Sequence, residues 1–141
     1  MSKKMLKIIR LKKSSRFQRF YHHGVATFNQ QHFKDNSDKI AINDNLGKHS
    51  YKDLNVCSNK IASALSSLLP KRSESNDNSN VAFLTPNNHQ YSIAQLGIWK
   101  SGSSCVPLCK SHPPETLKYY IGDSKSSALI VTKDYLEKVT L

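Results

Sequence analysis

Acidic side chains are missing from the first quarter of this chain. Residues 1–34 carry nine Lys or Arg and neither Asp nor Glu. The remainder holds twelve basic and ten acidic residues, so the formal charge of +11 belongs almost entirely to one end. A nearly neutral body argues against a nucleic-acid binder, whose cations are spread over a folded face. Cysteine is scarce: Cys57, Cys105 and Cys109 form an odd set with no CxxC pair. That argues against a disulfide framework and against a zinc site, and the three read as small buried apolar residues in a reducing compartment. With five glycines the chain has neither GxGxxG nor GxxxxGK[ST], which removes the dinucleotide and P-loop cradles. No apolar run approaches the roughly 20 residues of a membrane span. Lys and Arg interrupt every apolar cluster near the start, so there is no secretory h-region.

What the first 34 residues do contain is a mixture of basic, apolar and Ser residues, the marks of a mitochondrial presequence. The alternative is a solvated basic tail, which leaves the cytoplasm as the other location. Wound as a helix, Lys3, Lys7 and Arg10 share one face and Met5 and Ile9 lie opposite, with Lys12 and Lys13 spoiling the separation. Arg19-Phe20-Tyr21 is similar to the arginine-x-tyrosine site of matrix processing peptidases. His22 and His23 lack neighbouring acidic or cysteine partners, and no metal ligand is assigned.

Residues 35–141 suffice for one modest domain. Ile40-Ala41-Ile42, the turn residues Asp44-Asn45-Leu46-Gly47 and Lys48-His49-Ser50 predict a hairpin. Ser50 and Asp53 form a capping box at the head of a helix over 51–69, with Leu54, Cys57, Ile61, Ala64, Leu65 and Leu68 on one face and Pro70 as its stop. Residues 73–80 contain no apolar side chain and read as a surface loop. Val81-Ala82-Phe83-Leu84 predicts a strand covered on both faces. A helix over 89–101, apolar on most sides including Trp99, reads as sandwiched and ends at Gly102. Cys105-Val106 predicts a short strand, closed by Pro107 at an end or edge. Pro113-Pro114-Glu115 opens a helix whose apolar face is Leu117, Tyr120 and Ile121. Ala128-Leu129-Ile130-Val131 is a further buried strand, and Thr132 caps a last helix over 133–139.

Strands alternating with helices predict an α/β fold with a parallel sheet flanked by helices. Ligands of such sheets bind at the carboxyl ends of the strands. Here those ends are Thr85-Pro86-Asn87-Asn88, Leu108-Cys109-Lys110-Ser111-His112 and Thr132-Lys133. Ser101-Gly102-Ser103-Ser104 has one glycine and no following lysine, and reads as a helix-to-strand turn rather than a phosphate loop. Cys109 and His112 have the residue types of a nucleophile pair but no recognisable orienting group, so His112 reads as part of a helix-entry loop.

These segments resemble the adenylate-forming enzymes, the AMP-dependent synthetases and ligases. Lys100-Ser101-Gly102 through Val106-Pro107-Leu108 is similar to their Lys-x-Gly and Val-Pro-Leu motif, and Ser50-Tyr51-Lys52-Asp53-Leu54 to their Thr/Ser-Tyr-x-Glu/Asp-Leu helix entry. Val81-Ala82-Phe83-Leu84 with Pro86-Asn87 matches the strand and loop between them. His112-Pro113 through Leu117 and Tyr119, then Asp123-Ser124, Ser126 and Ser127, is similar to the mitochondrial malonyl-CoA synthetase branch. The resemblance covers roughly residues 38–136.

It implies an incomplete N-terminal subdomain over 35–141 of an enzyme that joins a carboxylic acid to coenzyme A through an acyl-adenylate. ATP, Mg2+ and coenzyme A serve the full-length family. The family's Ser/Thr/Gly-rich phosphate loop ending in Pro-Lys, its adenine-contacting segment, its ribose-binding Asp and its catalytic C-terminal Lys have no counterpart in these residues. No catalytic or cofactor-binding residue is therefore carried over, and the chain is expected to be inactive alone. The competing expectation is a non-catalytic α/β module that binds a nucleotide or a partner.

Overall fold

The computed structural model describes residues 6–11, 30–69 and 79–140. The processing-site similarity at Arg19-Phe20-Tyr21, the pair His22 and His23, and most of the 73–80 loop lie outside them.

Three parallel strands make up most of the sheet: β4 (Asn80–Leu84), β5 (Ser104–Pro107) and β6 (Ala128–Thr132). Phe83 is in register with Pro107 on one side and Ile130 on the other. The expectation of a sheet flanked by helices holds, with one addition. The sheet order is β1-β6-β4-β5, and β1 (Leu6–Arg10) runs antiparallel along β6 from Leu6 opposite Thr132 to Arg10 opposite Ala128. The helical winding expected for the first ten residues is thus corrected over Leu6–Arg10. Ile8 and Ile9 are β-branched and favour a strand. The open edge of β6 offers backbone partners, and Leu11 N–H extends the pairing to the Ser127 carbonyl at 2.9 Å. Alternation then sends Leu6 and Ile8 to one face of the sheet and Ile9 and Leu11 to the other.

Each face carries its own core. Val81, Phe83, Ala128 and Ile130 pack under α2 (Tyr51–Leu68) and α3 (His89–Lys100), against Leu54, Ile61, Leu65, Ile93, Ala94 and Ile98. Ala82, Leu84, Leu129 and Val131 pack on the opposite side, against Leu117 of α4 (Pro114–Asp123) and Val139 of α5 (Leu136–Val139). All four core residues of each of β4 and β6 are buried, as a two-sided strand requires. The short α1 (Gln30–Asp35), which begins inside the basic N-terminal stretch, places Phe33 in the first core.

Two helix ends are fixed by local chemistry. At the head of α2 the capping box forms as expected: Asp53 N–H donates to Ser50 Oγ at 3.1 Å, and Ser50 N–H donates to Asp53 Oδ2 at 2.9 Å. At the end of α3, Ser103 N–H reaches the Ile98 carbonyl at 3.1 Å and Gly102 N–H that of Trp99 at 2.9 Å, with Gly102 at φ 75°. This is the double hydrogen bond of a Schellman stop, and the left-handed residue it needs is the glycine.

Substituting Ser50→Ala is expected to cost about 1 kcal/mol, read as a lower unfolding midpoint in urea. The bonds from Ser50's hydroxyl and N–H hold the Asp53 carboxyl below its usual pKa. The stabilisation is present above the unfolded-state pKa and is lost as pH falls through the lower folded value. Asp53→Asn should therefore flatten the acid limb of the stability profile below about pH 4.

Three local expectations are corrected. Trp99 is not sandwiched but 48% exposed, because α3 buries only the face carrying Ile93, Ala94, Gly97 and Ile98. The last helix is a 3-10 turn (Lys133–Tyr135) followed by α5, and the Thr132 side chain does not cap it. Cys109 is exposed, whereas Cys57 and Cys105 are half-buried; all three are free thiols. Burial pushes the Cys105 thiol up to about 12, and its Sγ donates to the Gln95 carbonyl at 3.7 Å.

Candidate functional site

The helices divide at the carboxyl end of the sheet. The loop leaving β4 turns to α3 on one face, while the loops leaving β5 and β6 turn to α4 and α5 on the other. Open α/β sheets bind ligands at such a divergence. Polar groups do gather here. Asn88 Oδ1 accepts from Gln90 N–H at 3.0 Å and heads α3. Thr85 Oγ1 and Thr132 Oγ1, at the ends of β4 and β6, are buried without a hydrogen-bond partner.

Next to this end sits a cluster that the sequence reading missed. Asp44, at the turn of the hairpin β2 (Ile40–Asp44) and β3 (Gly47–Ser50), meets two histidines. Its Oδ2 lies 2.8 Å from His89 Nδ1 and accepts the His89 backbone N–H at 2.9 Å. Its Oδ1 lies 3.2 Å from His49 Nε2 and accepts Leu46 N–H at 2.8 Å. The two imidazoles stack at 3.7 Å between centroids, 19° apart. Burial raises the Asp44 pKa, but the bonds from His89, Leu46 and His49 outweigh it and hold the carboxyl far below its usual range. The available signal was the hairpin itself: Asp44 at the end of β2 and His49 within β3 come together once the strands pair around the turn at Asn45-Leu46. His89, 45 residues from Asp44, arrives only through the tertiary fold.

The other sequence candidates resolve as structure. The N–H groups of Gly102 and Ser103 are consumed by the helix stop, and Ser101 Oγ donates to the Ile98 carbonyl at 2.7 Å. Ser101–Ser104 is therefore the turn expected, at the amino end of β5 and away from the ligand end. Lys100 reaches back to α2, donating to Asn55 Oδ1, Ser58 Oγ and Asn59 Oδ1 at 2.6, 2.7 and 2.8 Å. Its ammonium lies 5.4 Å from the Phe33 ring centroid, and desolvation lowers its pKa. The lysine of the motif thus ties α3 to α2. Lys100→Met is expected to cost roughly 1–3 kcal/mol, since it deprives the fully buried Ser58 of its cation; a urea titration reads it.

Cys109 and His112 do share one turn, His112 N–H bonding the Cys109 carbonyl at 3.2 Å. The thiol, however, meets Ser111 Oγ at 3.0 Å, a contact that lowers its pKa, and the His112 ring lies against Tyr120. A cavity of about 290 Å³ opens beside them, lined also by Val106, Pro107, Leu108, Asp123 and Ser124. Lys110 contributes its carbonyl to Lys138 Nζ at 2.8 Å.

ATP and Mg2+ would require a phosphate cradle and hard oxygen ligands. The described residues do not fit them: the one Gly/Ser turn has spent the N–H groups of Gly102 and Ser103, and the gathered donor set is mostly imidazole. No step through either group follows from these residues.

Fold and sheet end together are similar to the N-terminal α/β layer of adenylate-forming ligases. Residues 29–140 match the family model of AMP-binding enzymes, and the chain belongs to that family. It is 42% identical over 99 residues to the mitochondrial malonate–CoA ligase of Xenopus laevis, covering 70% of this chain and 17% of that protein. The human malonate–CoA ligase is 35% identical over 100 residues, covering 71% and 17%. The chain therefore spans about a sixth of the length of these relatives. A benzoate CoA ligase from Burkholderia xenovorans shares the fold with a TM-score of 0.67 at 20% identity, over 78% of this chain and 22% of that one. An anthranilate CoA ligase in complex with anthranoyl-AMP gives 0.68 at 19%, over 77% and 20%. Among the described residues no helix is long and apolar enough to cross a membrane.

Proposed function

We propose that this chain is the opening portion of a malonyl-CoA synthetase-like, AMP-forming acid–thiol ligase. The whole enzyme would convert a carboxylic acid and ATP to an acyl-adenylate and pyrophosphate, then pass the acyl group to coenzyme A. The observation that carries the reading is the 42% identity to a malonate–CoA ligase within the matched family domain. The contribution of these residues is architectural. They build the sheet and fix α3 against α2, and they leave the charge of a transferring phosphoryl to donors elsewhere in the enzyme. Alone, the 141 residues do not turn over substrate. The acid-free, basic stretch over residues 1–34, together with relatives named as mitochondrial, supports import into mitochondria, with the stretch retained after import because β1 and Phe33 belong to the folded domain.

The purified chain should give no malonate-dependent exchange of pyrophosphate into ATP. Transcript sequence downstream of Leu141 should continue in frame into a Ser/Thr/Gly-rich loop ending in Pro-Lys, and the extended protein should exchange. Exchange by the 141 residues alone, or a transcript without that loop, would overturn the reading.

A further inference from the structure

We propose that Asp44, His49 and His89 form a binding site for a divalent transition metal of the zinc class, clasping the β2–β3 hairpin to the head of α3. The three side chains offer one carboxylate and two imidazoles, all donor atoms lying within 4.8 Å of one another. Two imidazoles and a carboxylate are an established zinc donor set, with metal–ligand distances of about 2.0–2.2 Å. In a tetrahedral site those distances place neighbouring donors roughly 3.3 Å apart. The carboxylate-to-imidazole separations here are 2.8 and 3.2 Å. These contacts use different oxygens, Oδ2 for His89 and Oδ1 for His49; a metal would replace the protons now shared with the rings and draw donors that lie within 4.8 Å of one another onto one point.

The carboxylate is already oriented. Backbone N–H groups of Leu46 and His89 hold its two oxygens, which is the kind of outer support that metal ligands need. The rings now stack nearly parallel. Binding requires them to tilt until their in-plane lone pairs converge on one point. Side-chain exposures of 19%, 16% and 12% for His49, His89 and Asp44 keep the cluster in contact with solvent, the source of a water as fourth ligand. An imidazole-rich set selects zinc, cobalt or nickel over Mg2+ or Ca2+. The inference uses only this chain's side chains and stands apart from the ligase reading.

The test uses the full chain carrying H22Q/H23Q, so that the adjacent histidine pair contributes nothing to the metal signal. Calorimetric titration with Zn2+ should show one equivalent bound with proton release. Co2+ should give the visible absorption of a tetrahedral site, and Mg2+ should not compete. At about 100 μM Zn2+ the unfolding midpoint should rise by about 5 °C or more. D44N and H89Q should each weaken binding at least tenfold, roughly the loss that even an outer-shell change inflicts. H49Q, on the hairpin, covers the case in which either of those fails to fold. Zn2+ affinity unchanged in H49Q, or no saturable binding by the parent chain, would overturn the proposal and leave a hydrogen-bonded clasp only.

Discussion

Gly97→Val is expected to unfold the domain or lower its midpoint by more than about 10 °C, a loss of roughly 3 kcal/mol or more. A Cβ at Gly97 would lie 2.6 Å from both Cβ and Cγ2 of Ile61 and 3.1 Å from the Ser58 carbonyl oxygen. The Ile61 Cβ cannot rotate away, because it is fixed to the backbone of α2. Helices α2 and α3 must therefore separate, and Ile61, Ile93, Ala94 and Ile98 lose their packing together.

Gly97→Ala is the sharper form of the same prediction. Helix propensity alone would make it stabilising by about 1 kcal/mol. Overpacking of about 1–3 kcal/mol opposes it, so the net sign should be destabilising. Thermal unfolding followed by circular dichroism decides the matter: a midpoint equal to or above the parent's would mean that the helices part without cost.

Removal of residues 1–11 should lower the midpoint by about 10 °C and promote aggregation, from roughly 3 kcal/mol of lost pairing and packing. The strand β1 supplies the backbone partners of β6 along Ala128–Thr132. It also sends Leu6 and Ile8 onto one core and Ile9 and Leu11 onto the other. Without it, a fully buried, β-branched strand gains an open edge, and such edges recruit other chains. Light scattering and the melting curve of the truncated chain test this together. An unchanged melt would return Leu6–Arg10 to the role of a dispensable tail.

That second experiment marks where the sequence could and could not be read. Elements with strong local signals were legible: the capping box at Ser50 and Asp53, the glycine stop at Gly102, and the apolar runs of β4 and β6. So was the alternation of strand and helix that makes a doubly covered parallel sheet. Leu6–Arg10 was not, because Lys7 and Arg10 allow a helical as well as an extended reading. Only the vacant side of β6, a tertiary feature, decides between them. The exposure of Trp99 was hidden for a related reason: a helix apolar on most sides does not say which side meets the sheet. The Asp44 cluster was half legible. His49 comes to Asp44 through a hairpin that local turn chemistry specifies, whereas His89 comes through packing of that hairpin beside α3.

The sheet is also a partition one residue thick. Phe83 belongs to one oily compartment and Leu84, a single peptide bond away, to the other. Isotope labels on Val81 and Leu84 would accordingly watch different rooms through the same wall. Loosening α2 should broaden the first signal while the second stays sharp, until β4 itself gives way.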